Sequence, residues 1–229
     1  MGLHGYEMLL LRGASITLGL ALLSAVVAIA LGLSGALLRV YAKGVPGRLV
    51  MVYTTLIRGI PDLALLLLIY YSLQGWISQI AQKMGWANVV IDPFTAGVIT
   101  LGFIYGASFT ETFRGALIGI APGQVEAARA MGLKNGRIFS RIILPQMLTL
   151  AVPGITNNWL VLLKSTALVS IIGLQELVTY GSQAAQATQQ PFLFMLLVGA
   201  IFLCITAISR LSLNWFSRKI DPSSEFHHV

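Results

Sequence analysis

Apolar residues dominate this chain in runs that polar residues interrupt at few places. Five segments are long enough to cross a hydrocarbon layer, which takes about 20 apolar residues in a helix. They lie near 14–38, 49–73, 95–118, 147–172 and 191–216. The runs are continuous Leu, Ile, Val and Ala rather than alternating, so the pattern predicts an all-α membrane protein with five transmembrane helices and not a membrane β-barrel. The first run exceeds the apolar core of a cleavable leader and has a thin basic flank, Arg12, so it reads as a retained helix. No repeat of 20–50 residues is visible, and 1–229 reads as a single transmembrane domain.

Between the runs, the polar stretches differ. Gln74 to Pro93 contains WISQIAQKMGW, which suits a short amphipathic helix on the outer surface. GSQAAQATQQ (181–190) is small, polar and uncharged, and suits an external loop or a short capping helix. The stretch 119–146 is basic and patterned. Pro122 fits a first helical turn, Glu126 follows where negative charge suits the helix dipole, and Gly132 allows a turn. Asn135-Gly136 is a second turn signal, and a short helix is expected from there to Pro145. Arg137 and Arg141 would share its face. A helix–turn–helix outside the bilayer is the prediction, with Ala127, Ala128, Met131, Ile138 and Ile142 free to fill a partner's groove.

Charge sets the expected orientation. One set of loops holds Arg39, Lys43 and Arg48, then Arg129, Lys134, Arg137 and Arg141, then Arg218 and Lys219; the other holds Arg12 and Lys83. The first set is therefore expected in the cytoplasm, with the N-terminus outside and the C-terminus inside. Trp76 and Trp86 would mark the outer interface and Trp215 the inner one, with Arg210 close enough to snorkel.

Composition narrows the function classes. Of 229 residues 56% are hydrophobic and 10% charged, with mean hydropathy +0.82, against about 25% charged in soluble domains. The net charge of +7 falls at membrane boundaries, so no nucleic-acid partner is expected. Cys204 stands alone in an apolar run, and His4, His227 and His228 sit at the termini. No metal-ligand cluster, no GxxxxGK[ST] phosphate loop and no catalytic constellation is present, so the chain is not its own P-loop ATPase.

Ionisable groups inside spans are functional candidates by default. Asp62 follows Gly59 and Pro61, and a proline break at mid-depth is where transporters expose backbone to solute. Its alternative is a structural pair with Arg58, four residues earlier. Glu111 either pairs with Arg114 along one helix or faces a translocation path. Lys164 pairs across helices with Asp62 or Glu111, or reaches water. Ser165, Thr166, Asn157 and Asn158 give the same helix a polar face that could bind a solute's polar groups or hold helices together.

Three stretches and one spacing carry a resemblance. Glu126-Ala127-Ala128, Gly132 and Ile142-Ile143-Leu144-Pro145 resemble the EAA loop of binding-protein-dependent ABC importer permeases. YTTLIRGIPDL (53–63), ITLGFIYGASFTETFRGA (99–116) and NNWLVLLKSTALVSIIGL (157–174) are similar to the polar amino-acid permeases of that class, most of all to histidine and lysine–arginine–ornithine permease subunits. The resemblance runs from Thr54 to Leu174. It implies a type I ABC importer permease fold in a bacterial inner membrane. It also implies a second related permease chain, two cytoplasmic ATPase subunits and a periplasmic amino-acid-binding protein. No cofactor is expected in this chain, ATP and Mg being held by the ATPase. The residues expected to couple to that ATPase are Glu126, Ala127, Ala128, Arg129, Gly132 and Arg137. Asp62, Glu111, Asn158, Lys164 and Ser165 are the expected substrate-path residues, Asp62 and Glu111 making the path acidic for a cationic side chain. An ion-coupled secondary amino-acid transporter using those carboxylates, and a membrane scaffold without transport, are the competing readings.

Overall fold

A computed structural model describes residues 5–42, 44–86 and 89–220, with side chains to Trp215. Lys43, His4, His227 and His228 lie outside the described residues, as do the side chains of Arg218 and Lys219. The described residues form helices α1 (Glu7–Tyr41), α2 (Val45–Gly59), α3 (Asp62–Lys83), α4 (Pro93–Ile118), α5 (Pro122–Ala130), α6 (Asn135–Ile138), α7 (Leu144–Ser165), α8 (Leu177–Thr188) and α9 (Pro191–Ile220). A π-helical turn, Phe139–Ile143, joins α6 to α7, and a 3-10 segment, Thr166–Ile172, extends α7.

Five of these stretches are long and apolar enough to cross a membrane: 7–41, 62–83, 93–118, 135–172 and 191–215. The second departs from expectation. The apolar run 49–73 is divided at Ile60 and Pro61, both extended (φ −110°, ψ 141° and φ −57°, ψ 135°). Pro61 cannot donate a helical hydrogen bond and forces its predecessor out of the α region. Hydropathy is continuous across a break that ends one helix and starts another. The long helix therefore starts at Asp62, and the segment expected as a separate surface helix, WISQIAQKMGW, is its continuation to Lys83. Gln74 then ties the following connection down, its amide donating to the Val89 carbonyl (2.7 Å) and accepting from the Ile91 amide (2.8 Å).

The core forms where α1 crosses α4. Glycines on both helices let the backbones approach, the usual device in membranes, where lipid gives no hydrophobic drive between helices. A Cβ at Gly102 would come within 2.5 Å of Val27 Cγ1. Gly102 and Gly106 are four apart in GFIYG, a small-residue spacing legible in the sequence. Leu20, Ala21, Ala28, Leu101 and Phe109 are buried in this contact. Helix α7 packs against α4, where Asn158 Nδ2 donates to Thr112 Oγ1 at 3.0 Å.

The 181–190 stretch takes the capping-helix form, as part of α8 against α1 and α9. Its first turn is held by Glu176, a fully buried residue that lies outside the apolar runs. Glu176 Oε1 accepts from the amides of Val178 (2.8 Å) and Thr179 (3.0 Å), and Oε2 accepts from Thr17 of α1 (3.2 Å), whose oxygen accepts from the Leu177 amide. Burial pushes this carboxyl above the ordinary range, and the two amides and the Thr17 hydroxyl pull it back only in part. An acid whose folded pKa is raised stabilises most below its unfolded pKa, and that contribution falls as pH rises through the folded value. Glu176→Gln is therefore expected to hold the junction at neutral pH and to flatten the pH dependence of thermal stability. Glu176→Ala, which strands the capped amides, is expected to cost about 1–3 kcal/mol. Thermal unfolding of the detergent-solubilised protein between pH 5 and 8 reads both.

Candidate functional site

Two places hold the residues singled out in the sequence: the helical elbow between α4 and α7, and the break before α3.

At the elbow, α5 ends in a Schellman turn. Gly132 lies at φ +77°, its amide donates to the Arg129 carbonyl (2.9 Å), and the Leu133 amide reaches back to the Ala128 carbonyl (3.1 Å). Those two bonds close the last turn, and glycine takes the left-handed position without penalty. The turn is complete before Asn135, so Asn135-Gly136 opens α6 instead of forming the expected second turn. Nor does the second helix stop at Pro145. It runs through the π turn into α7, the wider turn accommodating a residue that cannot donate.

The hairpin has two faces. Ala128 (0% exposed) and Ile138 (2%) belong to the chain's own core, and Ile142 packs on it. They are not free to fill a partner's groove, as the sequence suggested, because helices this short carry too little periodicity to show which face turns inward. The outward face carries Glu126, Ala127, Arg129, Gly132 and Arg137, with Met131 at its tip, 73% exposed. Arg141 is also exposed.

At the break, Asp62 begins α3, where the helix dipole favours a carboxylate. Its Oδ2 accepts from the Tyr105 hydroxyl at 2.7 Å and from Ser165 at 3.4 Å, and Tyr105 and Ser165 are 2.6 Å apart. Tyr105 lies halfway along α4 and Ser165 ends α7, so three helices meet at one carboxylate near the middle of the bundle. Arg58 is not its partner, as the four-residue spacing suggested, because the extended Ile60–Pro61 link puts the two on different helices. Tyr105 was missed. A hydroxyl among apolar positions leaves no periodic trace, although it sits inside a stretch that carries the family resemblance.

Glu111 and Arg114 do pair along α4, Nε to Oε2 at 2.7 Å, the one ion pair found among the described residues. Thr54 of α2 donates to the other oxygen at 3.0 Å, so both oxygens of Glu111 are engaged. Lys164 is exposed and pairs with neither Asp62 nor Glu111. Asn158 bonds α7 to α4, the helix-joining use, and Asn157 is exposed. The site thus unites Asp62 and Ser165, adds Tyr105, and leaves Glu111, Asn158 and Lys164 apart from them.

The model of the family described as binding-protein-dependent transport system inner membrane component matches residues 28–222. The chain belongs to that family. Among its relatives, this permease is 46% identical over 217 residues to the histidine/lysine/arginine/ornithine transport system permease protein HisQ of Escherichia coli (strain K12), covering 95% of both chains. It is 36% identical over 206 residues to the octopine transport system permease protein OccQ of Rhizobium radiobacter, covering 90% of this chain and 86% of the relative. A crystal structure of an amino acid ABC transporter with histidines superposes with a TM-score of 0.79 at 29% identity, over 93% of this chain and 95% of that one. An inward-facing MetNI methionine ABC transporter superposes with a TM-score of 0.76 at 21% identity, over 93% and 96%; this shares the fold. The five-span, type I ABC permease architecture expected from the sequence is therefore the one this permease has.

Proposed function

We propose that this permease forms part of the membrane path of an importer for basic amino acids, histidine, lysine, arginine and ornithine among them. The observation that carries the reading is the near full-length likeness to HisQ, joined by Asp62 held at mid-bundle with Oδ1 left unbonded among the described residues. A carboxylate so placed can face a cationic side chain at a depth where an unpaired charge is costly. The chain lies in a bacterial inner membrane, N-terminus outside. It pairs with a second related permease, takes its solute from a periplasmic binding protein, and is driven by two ATPase subunits that hold ATP and Mg. The elbow around Gly132 is the part that grips the ATPase. Closure of the ATPases moves the elbow as a rigid body and alternates access between the two sides, which needs only differing affinities of the two states.

The test is to purify the assembled importer, reconstitute it with its binding protein, and measure ATP hydrolysis with single amino acids. Stimulation by histidine, arginine, lysine or ornithine, and uptake that requires ATP, are expected. Uptake driven by membrane potential without ATP would replace this reading with the ion-coupled one.

A further inference from the structure

A cleft of about 420 Å³ opens between the inner end of α1, helix α2 and α4, about two turns of α4 below the Asp62 site. Arg39, Thr54, Thr55, Arg58 and Glu111 line it. Its charge is lopsided. The only carboxylate, Glu111, is already bonded to Arg114 and Thr54. Arg39 and Arg58 make no hydrogen bond or ion pair with any described residue; Arg39 feels the charge of Glu111 across the cleft, and its Nη1 is buried without a hydrogen-bond partner. A buried guanidinium nitrogen with no acceptor is costly, and Arg58, inside the apolar run 49–73, is a charge at membrane depth, where such groups face a solute path or a wet cavity. Guanidinium forks match planar carboxylates, and the Thr55 hydroxyl can donate as well.

The geometry points to this cleft as an oxyanion site that receives the α-carboxylate of the transported amino acid. The inference rests on the import of amino acids proposed above. Glu111, whose sequence position left it between pairing with Arg114 and facing the path, is held by Arg114 and forms part of the wall of this cationic cleft. The extended Ile60–Pro61 link prevents Arg58 and Asp62 from neutralising each other as an i,i+4 pair would. One strand of backbone thus presents a cation on its inner side and a carboxylate on its outer side. That polarity matches a basic amino acid, whose carboxylate and cationic end must be held apart.

Modification of arginines by phenylglyoxal, read by peptide mass spectrometry on the assembled importer, tests the site. Arginine and histidine are expected to slow modification of Arg58 and Arg39 at least fivefold. Agmatine and histamine, the same side chains without the carboxylate, are expected to protect neither residue. With Arg58→Gln, arginine should no longer protect Arg39, and Arg58→Lys should restore part of that protection. A purely structural Arg58 would not distinguish arginine from agmatine. Protection by acetate or inorganic phosphate but by no amino acid would uphold the oxyanion chemistry and remove the amino-acid cargo. Equal protection by arginine and agmatine, protection by anionic phospholipid vesicles alone, or an Arg58 inert under all conditions would overturn the proposal.

Discussion

Gly132→Asp is expected to lower amino-acid uptake and substrate-stimulated ATP hydrolysis more than a hundredfold while leaving membrane insertion and protein level within twofold of wild type. The two halves of that expectation have separate causes. Nothing lies within 4 Å of a Cβ built on Gly132, so the new side chain meets no obstacle inside the chain. Its cost to the fold is the left-handed backbone at φ +77°, about 1 kcal/mol for an aspartate, which tolerates that region better than most residues. The cost to function arises on the outward face. There the elbow presents Met131 and the basic side chains of Arg129, Lys134 and Arg137. A carboxylate at its apex would be drawn out of water whenever a partner closes over it, and an uncompensated buried charge costs several kcal/mol. Gly132→Ala separates the two effects, since it carries the backbone strain without the charge and should retain most of the transport. Gly132→Asp importers that transport normally would show that nothing closes on this turn.

Spans and elbow were legible because both are written in local composition. Twenty apolar residues make a span almost regardless of what they touch, and Gly132 marks its own turn. What stayed hidden depends on residues far apart in sequence. The 49–73 run looks uniform because hydropathy carries no record of helix direction, and only Pro61 hinted at the break. Asp62 stood out in the sequence, but its partners arrive from α4 and the end of α7, and Tyr105 gives no sign of its role in a list of charges. Glu176 was overlooked for a related reason. A single acid outside the spans looks like a loop residue, yet it follows a glycine turn at Gly173 and precedes two amides that it caps, a pattern available from the sequence. Ala128 and Ile138 were placed on the wrong face because a helix of nine residues or four does not fix its own rotation.

Replacing Asp62 by asparagine is expected to reduce uptake of lysine and arginine at least tenfold, a loss of about 1.4 kcal/mol in transition-state terms. Asparagine keeps an oxygen for Tyr105 and Ser165, so the three-helix junction survives and the change removes charge alone. Glu111→Gln should behave differently, since Glu111 takes the intrahelical pairing with Arg114 that was one of its two expected roles. Its oxygens serve the partly exposed Arg114 and the buried Thr54, so the substitution loosens α2 against α4 by about 1 kcal/mol and lowers uptake of every substrate alike. Tyr105→Phe completes the comparison. It removes one hydrogen bond and leaves the Asp62 charge in place, so the preference for cationic over neutral amino acids should persist even where the rate falls. Uptake of labelled lysine, histidine and glutamine by the three variants, normalised to assembled complex, separates charge from architecture. Unaltered selectivity in Asp62→Asn would leave the carboxylate as a helix clamp, with recognition of the cationic end resting elsewhere in the importer.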